Sequence, residues 1–184
     1  MRVVPHPTPT SNDREAVFGR LLPLVTGWCT RLGAGQIDAE AAASDALMVV
    51  LRRLDDVEPD SPIEAFAWGV TTRVVREHRR RAWWRKWVPG APMEHAAPPS
   101  ADSPAQRERV RLVYRVLDAL SEAHREVIVL MDLEERAASE VATILGLPEG
   151  TVRSRLRLAR ESFRAEAGRV GLGVLHLVED PDDA

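Results

Sequence analysis

Apolar residues return every three or four positions through most of the chain, and the two-residue alternation of a half-buried strand is weak throughout. Val17, Leu21, Leu24, Trp28 and Leu32 fall on one face of a first helix. Asn12 and Glu15 have the spacing of a capping box ahead of it, and Pro23, inside it, predicts a kink or a break. Asp38 is placed to cap a second helix whose inner face is Ala43, Ala46, Leu47, Val50, Leu51 and Leu54. Ser61-Pro62-Ile63-Glu64 reads as a helix start, with Ser at the cap, Pro in the first turn and Glu three residues on. Phe66, Ala67, Val70 and Val74 then stripe a third helix, and the three helices can share one core over residues 12–87.

Residues 88–104, VPGAPMEHAAPPSADSP, break this pattern. Pro, Ala and Ser dominate and large apolar residues are almost missing, which predicts an extended, mobile linker. Periodicity resumes over residues 105–168. Ser103 and Gln106 bracket a further helix start, and Val110, Val113, Tyr114, Leu117 and Leu120 follow at helical spacing. Ser121 caps a helix bearing Val127, Ile128, Leu130 and Met131; a short helix holds Val141, Ile144 and Leu145. Gly146 ends that helix, because glycine accepts the left-handed conformation at a helix terminus, and Pro148 opens the last one. The expected fold is therefore all-α, two small helical domains joined by a Pro/Ala-rich linker. In the tail, 169–184, LGVLHLV fits a short helix packed on the second unit, followed by an acidic end.

The last helix separates its chemistry by face. Val152, Leu156, Ala159 and Phe163 step by 4, 3 and 4 and form a core stripe. Arg153, Arg157, Arg160 and Arg164 repeat those steps one residue later, about 100° round the helix. Two short helices joined by LGLPEG, the second with a basic stripe, form the pattern of a helix-turn-helix. Its arginines can neutralise phosphates and reach guanine edges. The plainer alternative is a solvated basic face paired with Glu149, Glu161 and Glu166; the preceding turn and short helix favour the nucleic acid.

Composition sharpens this picture. The 184 residues sum to a net charge of −3, yet the segment 73–87 places Arg73, Arg76, Arg79, Arg80, Arg81, Arg85 and Lys86 against Glu77 alone. Trp83, Trp84 and Trp87 lie among these cations. Such aromatics stack on unpaired bases, or else pack on the helical unit or on a protein partner. Cys29 is the only cysteine, so neither an internal disulfide nor a thiolate cluster is possible, and a cytoplasmic location is expected. No apolar run has the length of a signal peptide or the roughly 18 residues of a membrane helix. His6, His78, His95, His124 and His176 are scattered without metal-site spacing, and no Gly-rich phosphate loop occurs. An enzyme is not expected, nor a cofactor.

LDALSEAHREVIVLMDLEERAASEVATILGLPEGTVRSRLRLARESFR, Leu117 to Arg164, closely resembles region 4 of bacterial sigma-70-type factors, in particular the two-domain extracytoplasmic-function group. The resemblance implies that this unit reads the −35 promoter element, with Thr151, Arg153, Ser154 and Arg157 toward the DNA; Arg160 continues the stripe as an expected phosphate contact. Ala137 stands where that family commonly has a hydroxyl cap. DAEAAASDALMVVLRRL, Asp38 to Leu54, resembles the region 2 helix that docks on core RNA polymerase, which implies a docking face of Ser44, Asp45, Met48 and Arg52. Ala41 and Ser44 replace the family's usual acid and Gln. AFAWGVTTRVVREHRRR, Ala65 to Arg81, resembles the helix that holds the −10 element, implying DNA contacts by Arg73, Arg76, Arg79 and Arg80; Arg73 stands where Asn is common. The resemblance implies a sigma factor with core RNA polymerase, promoter DNA and an anti-sigma factor as partners. Two alternatives stay open: a stand-alone helix-turn-helix regulator, and a sigma mimic that sequesters an anti-sigma factor.

Overall fold

The computed structural model describes residues 11–57, 62–85 and 103–172. Seven α-helices account for most of these residues: α1 Ser11–Gly33, α2 Ala39–Arg52, α3 Ile63–Arg85, α4 Pro104–Ala119, α5 Glu122–Ile128, α6 Ala138–Leu145 and α7 Glu149–Arg169. A short 3-10 turn, Leu54–Asp56, follows α2, and a π-helical turn, Val129–Leu133, continues α5. The expected all-α class is what the chain adopts.

Local chemistry explains most of the boundaries. The Asp38 carboxylate accepts from the Ala41 amide at 2.9 Å and caps α2. The Ser103 hydroxyl accepts from the Gln106 amide at 3.2 Å, and the Ser121 hydroxyl from the His124 amide at 3.3 Å. At α6 the cap position is Ala137, which has no acceptor; the Glu140 carboxylate accepts from the Ala137 amide at 2.9 Å instead, leaving half of a capping box. Gly146 closes α6 at φ 63°, and the Leu147 amide folds back to the Ala142 carbonyl at 3.0 Å. The caps expected at Asn12 and Ser61, the linker, and LGVLHLV beyond Leu172 lie outside the described side chains.

Pro23 does not interrupt α1, which runs through it without a break. An interior proline forfeits a hydrogen bond and costs about 3 kcal/mol. Leu21, Val25 and Trp28 on either side are fully buried, and burying side chains of that size returns roughly 1.5–3 kcal/mol each. Tertiary packing therefore outweighs the local defect, with Pro23 on the exposed side.

Within the first unit, α1, α2 and α3 pack mutually. Trp28 meets Trp68 edge-to-face at 5.0 Å, and the buried Thr71 hydroxyl donates back to the Ala67 carbonyl at 2.7 Å. In the second unit α5 and α6 pack on α7 through Val127, Ile128, Val141, Val152, Leu156, Ala159 and Phe163. The pattern of apolar residues treats the two units apart, but here they touch. The α1 helix meets α4 and the π turn, α3 meets α6, and the buried apolar residues form one continuous cluster.

Cys29 is fully enclosed, and burial pushes its thiol up to about 12. It is protonated at every physiological pH, and thiolate is the reactive form. Ellman's reagent should therefore leave the native chain unlabelled at pH 8 and titrate one thiol only after denaturant unfolds it. Stoichiometric labelling of the native chain within minutes would contradict this packing.

Candidate nucleic-acid interface

The α7 helix presents two faces. Val152, Leu156, Ala159 and Phe163 are buried, as their spacing predicts. Thr151, Arg153, Ser154 and Arg157 are exposed on the outer side. Among the described residues the two guanidiniums meet only carboxylates one turn away on the same helix: Arg153 pairs with Glu149, and Arg157 with Glu161 at 2.5 Å. Such exposed pairs are worth at most about 0.5 kcal/mol, so they exchange readily for another anion. The Ser154 hydroxyl donates to the Thr151 carbonyl at 3.0 Å.

Arg160 departs from the exposed stripe. Its side chain is 14% exposed and holds Asp132, itself 4% exposed, through Nη2 at 2.8 Å and Nε at 3.3 Å. A fork of that geometry ties α7 to the π turn. The turn's widened bonding, from the Glu134 amide to the Val129 carbonyl at 2.9 Å, lies beside Asp132.

On α3 the four expected arginines sit in different surroundings. Arg73 is exposed and makes no ion pair with the described residues. Arg80 shares Glu77 with Arg81, and the two guanidiniums hold that carboxyl below the usual carboxylate range. Arg76 grips Glu122 of α5 with Nε at 2.9 Å and Nη2 at 2.6 Å. Arg79 binds Asp118 of α4 and donates to the Gly33 carbonyl at 3.1 Å. Two of the four thus reach across to the second unit. Farther along α3, Trp83 and Trp84 are 52% and 59% exposed, edge-to-face at 4.9 Å. Neither is buried in the helical unit.

The outer face of α2 exposes Ser44, Met48 and Arg52, with Met48 51% exposed. Asp45 is half-buried, and His78 of α3 approaches its carboxylate at 2.9 Å. Ala41, one turn back, is exposed as well. The candidate residues of α2 and α3 therefore belong to one packed unit, while those of α7 lie on the other.

Sequence reasoning missed the joint between them. Arg125 is 7% exposed and donates to the carbonyls of Leu117 at 2.7 Å, Asp118 at 3.1 Å, Leu120 at 2.9 Å and, across the units, Leu32 at 3.4 Å. Burial, then the like charge of Arg79, pull its pKa down to about 10, so it remains charged at neutral pH. Ion pairs Arg31–Glu134 and Arg136–Glu64 flank the same joint. A single sequence holds no signal for these partners, which lie 72 and 103 residues apart.

Two family models match the chain. Residues 17–85 match the model "Sigma-70 region 2" and residues 111–163 match "Sigma-70, region 4". The chain is 31% identical over 137 residues to "ECF RNA polymerase sigma factor SigM" of Mycobacterium tuberculosis, covering 74% of this chain and 68% of the relative. It is 29% identical over 143 residues to "RNA polymerase sigma factor CnrH" of Cupriavidus metallidurans, covering 72% and 75%. Among solved structures, the sigma factor RpoE in complex with the anti-sigma factor NepR from Bartonella quintana superposes with a TM-score of 0.64 at 22% identity, over 85% of this chain and 98% of that one. CnrH in complex with the cytosolic domain of CnrY gives 0.61 at 21% identity, over 87% and 90%. No helix among the described residues is long and apolar enough to cross a membrane.

The contrast between two neighbouring arginines of α7 is measurable. Arg160→Met strands the buried Asp132 and should destabilise the fold by about 3 kcal/mol in urea titration. Arg157→Met should change stability by less than about 0.5 kcal/mol. Equal effects would mean that Arg160 is no more buried than Arg157.

Proposed function

Because the chain belongs to the extracytoplasmic-function group of sigma-70 factors, we propose that it binds core RNA polymerase in the cytoplasm and directs transcription initiation from specific promoters. The observation that supports this most directly is the outer face of α7, where Thr151, Arg153, Ser154 and Arg157 project from the second helix of a helix-turn-helix. A helix of that width enters the major groove, and its first two turns meet base edges. On this reading Arg157 offers a bidentate donor pair to a guanine and Arg153 a phosphate or base contact in the −35 element. Arg160, held by Asp132, orients α7 rather than touching a phosphate.

The α3 helix is the −10 element's partner on this reading. Arg73, Arg76, Arg79 and Arg80 supply phosphate contacts along it, which position the strand without specifying its sequence. Capturing unpaired bases costs a few kcal/mol of lost stacking per step, and the polymerase shares that cost. The exposed patch Ser44, Met48 and Arg52 on α2, with Asp45 at its edge, serves as the docking face for core polymerase. Similarity to sigma factors solved with anti-sigma proteins supports a protein of that kind as a further partner. The protein is a transcription initiation factor by family, and no catalytic group is assigned to it.

Transcription in vitro with purified core polymerase tests the reading. Core plus this chain should give promoter-dependent transcripts from a subset of genomic fragments, and neither component alone should. Binding to core without a transcript from any fragment would replace the sigma reading with that of a mimic. Tight sequence-specific duplex binding by the chain alone would favour a stand-alone regulator. On an identified promoter, Arg157→Ala should cost about 1–3 kcal/mol and relax discrimination at one −35 position. A uniform loss over all −35 sequences would reduce Arg157 to a phosphate contact.

A further inference from the structure

The ion pairs that join the two units use the guanidiniums that the −10 reading needs. Arg76 of α3 lies on Glu122 of α5, and Arg79 of α3 lies on Asp118 of α4. We propose that these two pairs, beside the shared apolar core and the Arg125–Leu32 bond, hold the free chain closed, so that unit–unit contact and polyanion binding compete for Arg76 and Arg79. The claim that the polyanion is promoter DNA rests on the function proposed above; the closure itself does not.

Three features support a joint built to separate. First, Arg76 and Glu122 are 63% and 45% exposed, and Arg79 and Asp118 are 23% and 34% exposed. Pairs so open to water are shallow and screened by salt within about 8–10 Å. Second, the contact is loosely filled there. A cavity of about 170 Å³ remains between the units, lined by Arg76, Arg79, Arg125, Glu122 and Glu126 among others. Third, closure sets the like charges of Arg79 and Arg125 against each other, while the carboxylates that counter Arg125, namely Asp118, Glu122 and Glu126, lie on its own unit. A DNA phosphate that takes the Nε–Nη2 edge of Arg76 displaces Glu122, and one that takes Nη2 of Arg79 displaces Asp118.

The consequence is a coupling. Engagement of α3 by a phosphate backbone releases α4 and α5, and with them the α7 helix-turn-helix. Conversely, closure lowers the affinity of the free chain for polyanions. The other inter-unit pairs, Arg31–Glu134 and Arg136–Glu64, involve no residue assigned to DNA and resist opening without this competition.

Small-angle X-ray scattering on the full chain reads the closure, and fluorescence anisotropy with a labelled 30-base-pair duplex reads the competition. The probe variant is Asp118→Asn with Glu122→Gln, both on solvent-facing side chains; circular dichroism checks that its helices are intact. The control is Arg76→Gln with Arg79→Gln. Both pairs of substitutions should increase the radius of gyration, and raising salt from about 0.05 M to about 0.5 M should do the same to the unmodified chain. Only the carboxylate variant should bind the duplex more tightly, by about three- to tenfold, while the arginine variant binds more weakly. Unchanged scattering in both variants overturns the closure. Expansion of both without a gain in duplex affinity for the carboxylate variant overturns the competition. Failure of the chain to support transcription with core polymerase sinks the sigma reading but leaves the scattering result, and hence the closure, decided on its own terms.

Discussion

Two guanidiniums meet the carbonyl ends of two helices at one place, and the arrangement of both units depends on it. The last carbonyls of α1 and α4 have no intrahelical partner and carry the negative end of each helix dipole. Arg125 donates to Leu117, Asp118 and Leu120 at the end of α4 and to Leu32 at the end of α1; Arg79 donates to Gly33 beside it. The Leu117 and Gly33 carbonyls also accept from the Leu120 and Gln36 amides; a buried carbonyl such as that of Leu32, left without a donor, would cost about 1–3 kcal/mol. The cation is tolerated because carbonyls replace its water and because Asp118 and Glu122 offset the repulsion from Arg79. The site thus closes α4, starts α5 and sets α1 against both.

The helices and their inner faces were legible in the sequence because helical periodicity is local. Val152, Leu156, Ala159 and Phe163 announce their face through spacing alone, and all four are buried. Gly146 and the caps at Asp38, Ser103 and Ser121 were equally readable, since each acts on amides within three residues. Of the kink or break expected at Pro23, the break is absent for the opposite reason: α1 packs with α2 and α3, and no local rule includes that packing. The π turn has no local signature in this sequence either. It carries Asp132, which Arg160 holds, and precedes α6.

The candidate site was legible in part. Charge and spacing marked the outer face of α7, but they put Arg153, Arg157 and Arg160 together on the DNA side. The distinction lies in Asp132, 28 residues away, which removes Arg160 from the surface. The same limit applies on α3. Arg73, Arg76, Arg79 and Arg80 form one basic stretch in the sequence, yet Glu122 and Asp118 divide it into arginines turned outward and arginines turned to the other unit. A sign of charge says which ligands a group can attract; only its neighbours say whether it is available.

Availability can be graded by burial. Arg153 and Arg157 exchange one exposed carboxylate for a phosphate at little cost, because both states are solvated and the pairing is with the same helix. Arg76 and Arg79 exchange theirs at the expense of a contact between units, so their use by a polyanion has a structural consequence. Arg160 and Arg125 do not exchange: losing Asp132 or the helix-end carbonyls would leave buried charge and unpaired polar groups behind. One residue type therefore performs three tasks, and the environment assigns them. Across the joint Arg76, Arg79, Arg31 and Arg136 each meet a carboxylate of the opposite unit, whereas Arg125 meets helix-end carbonyls.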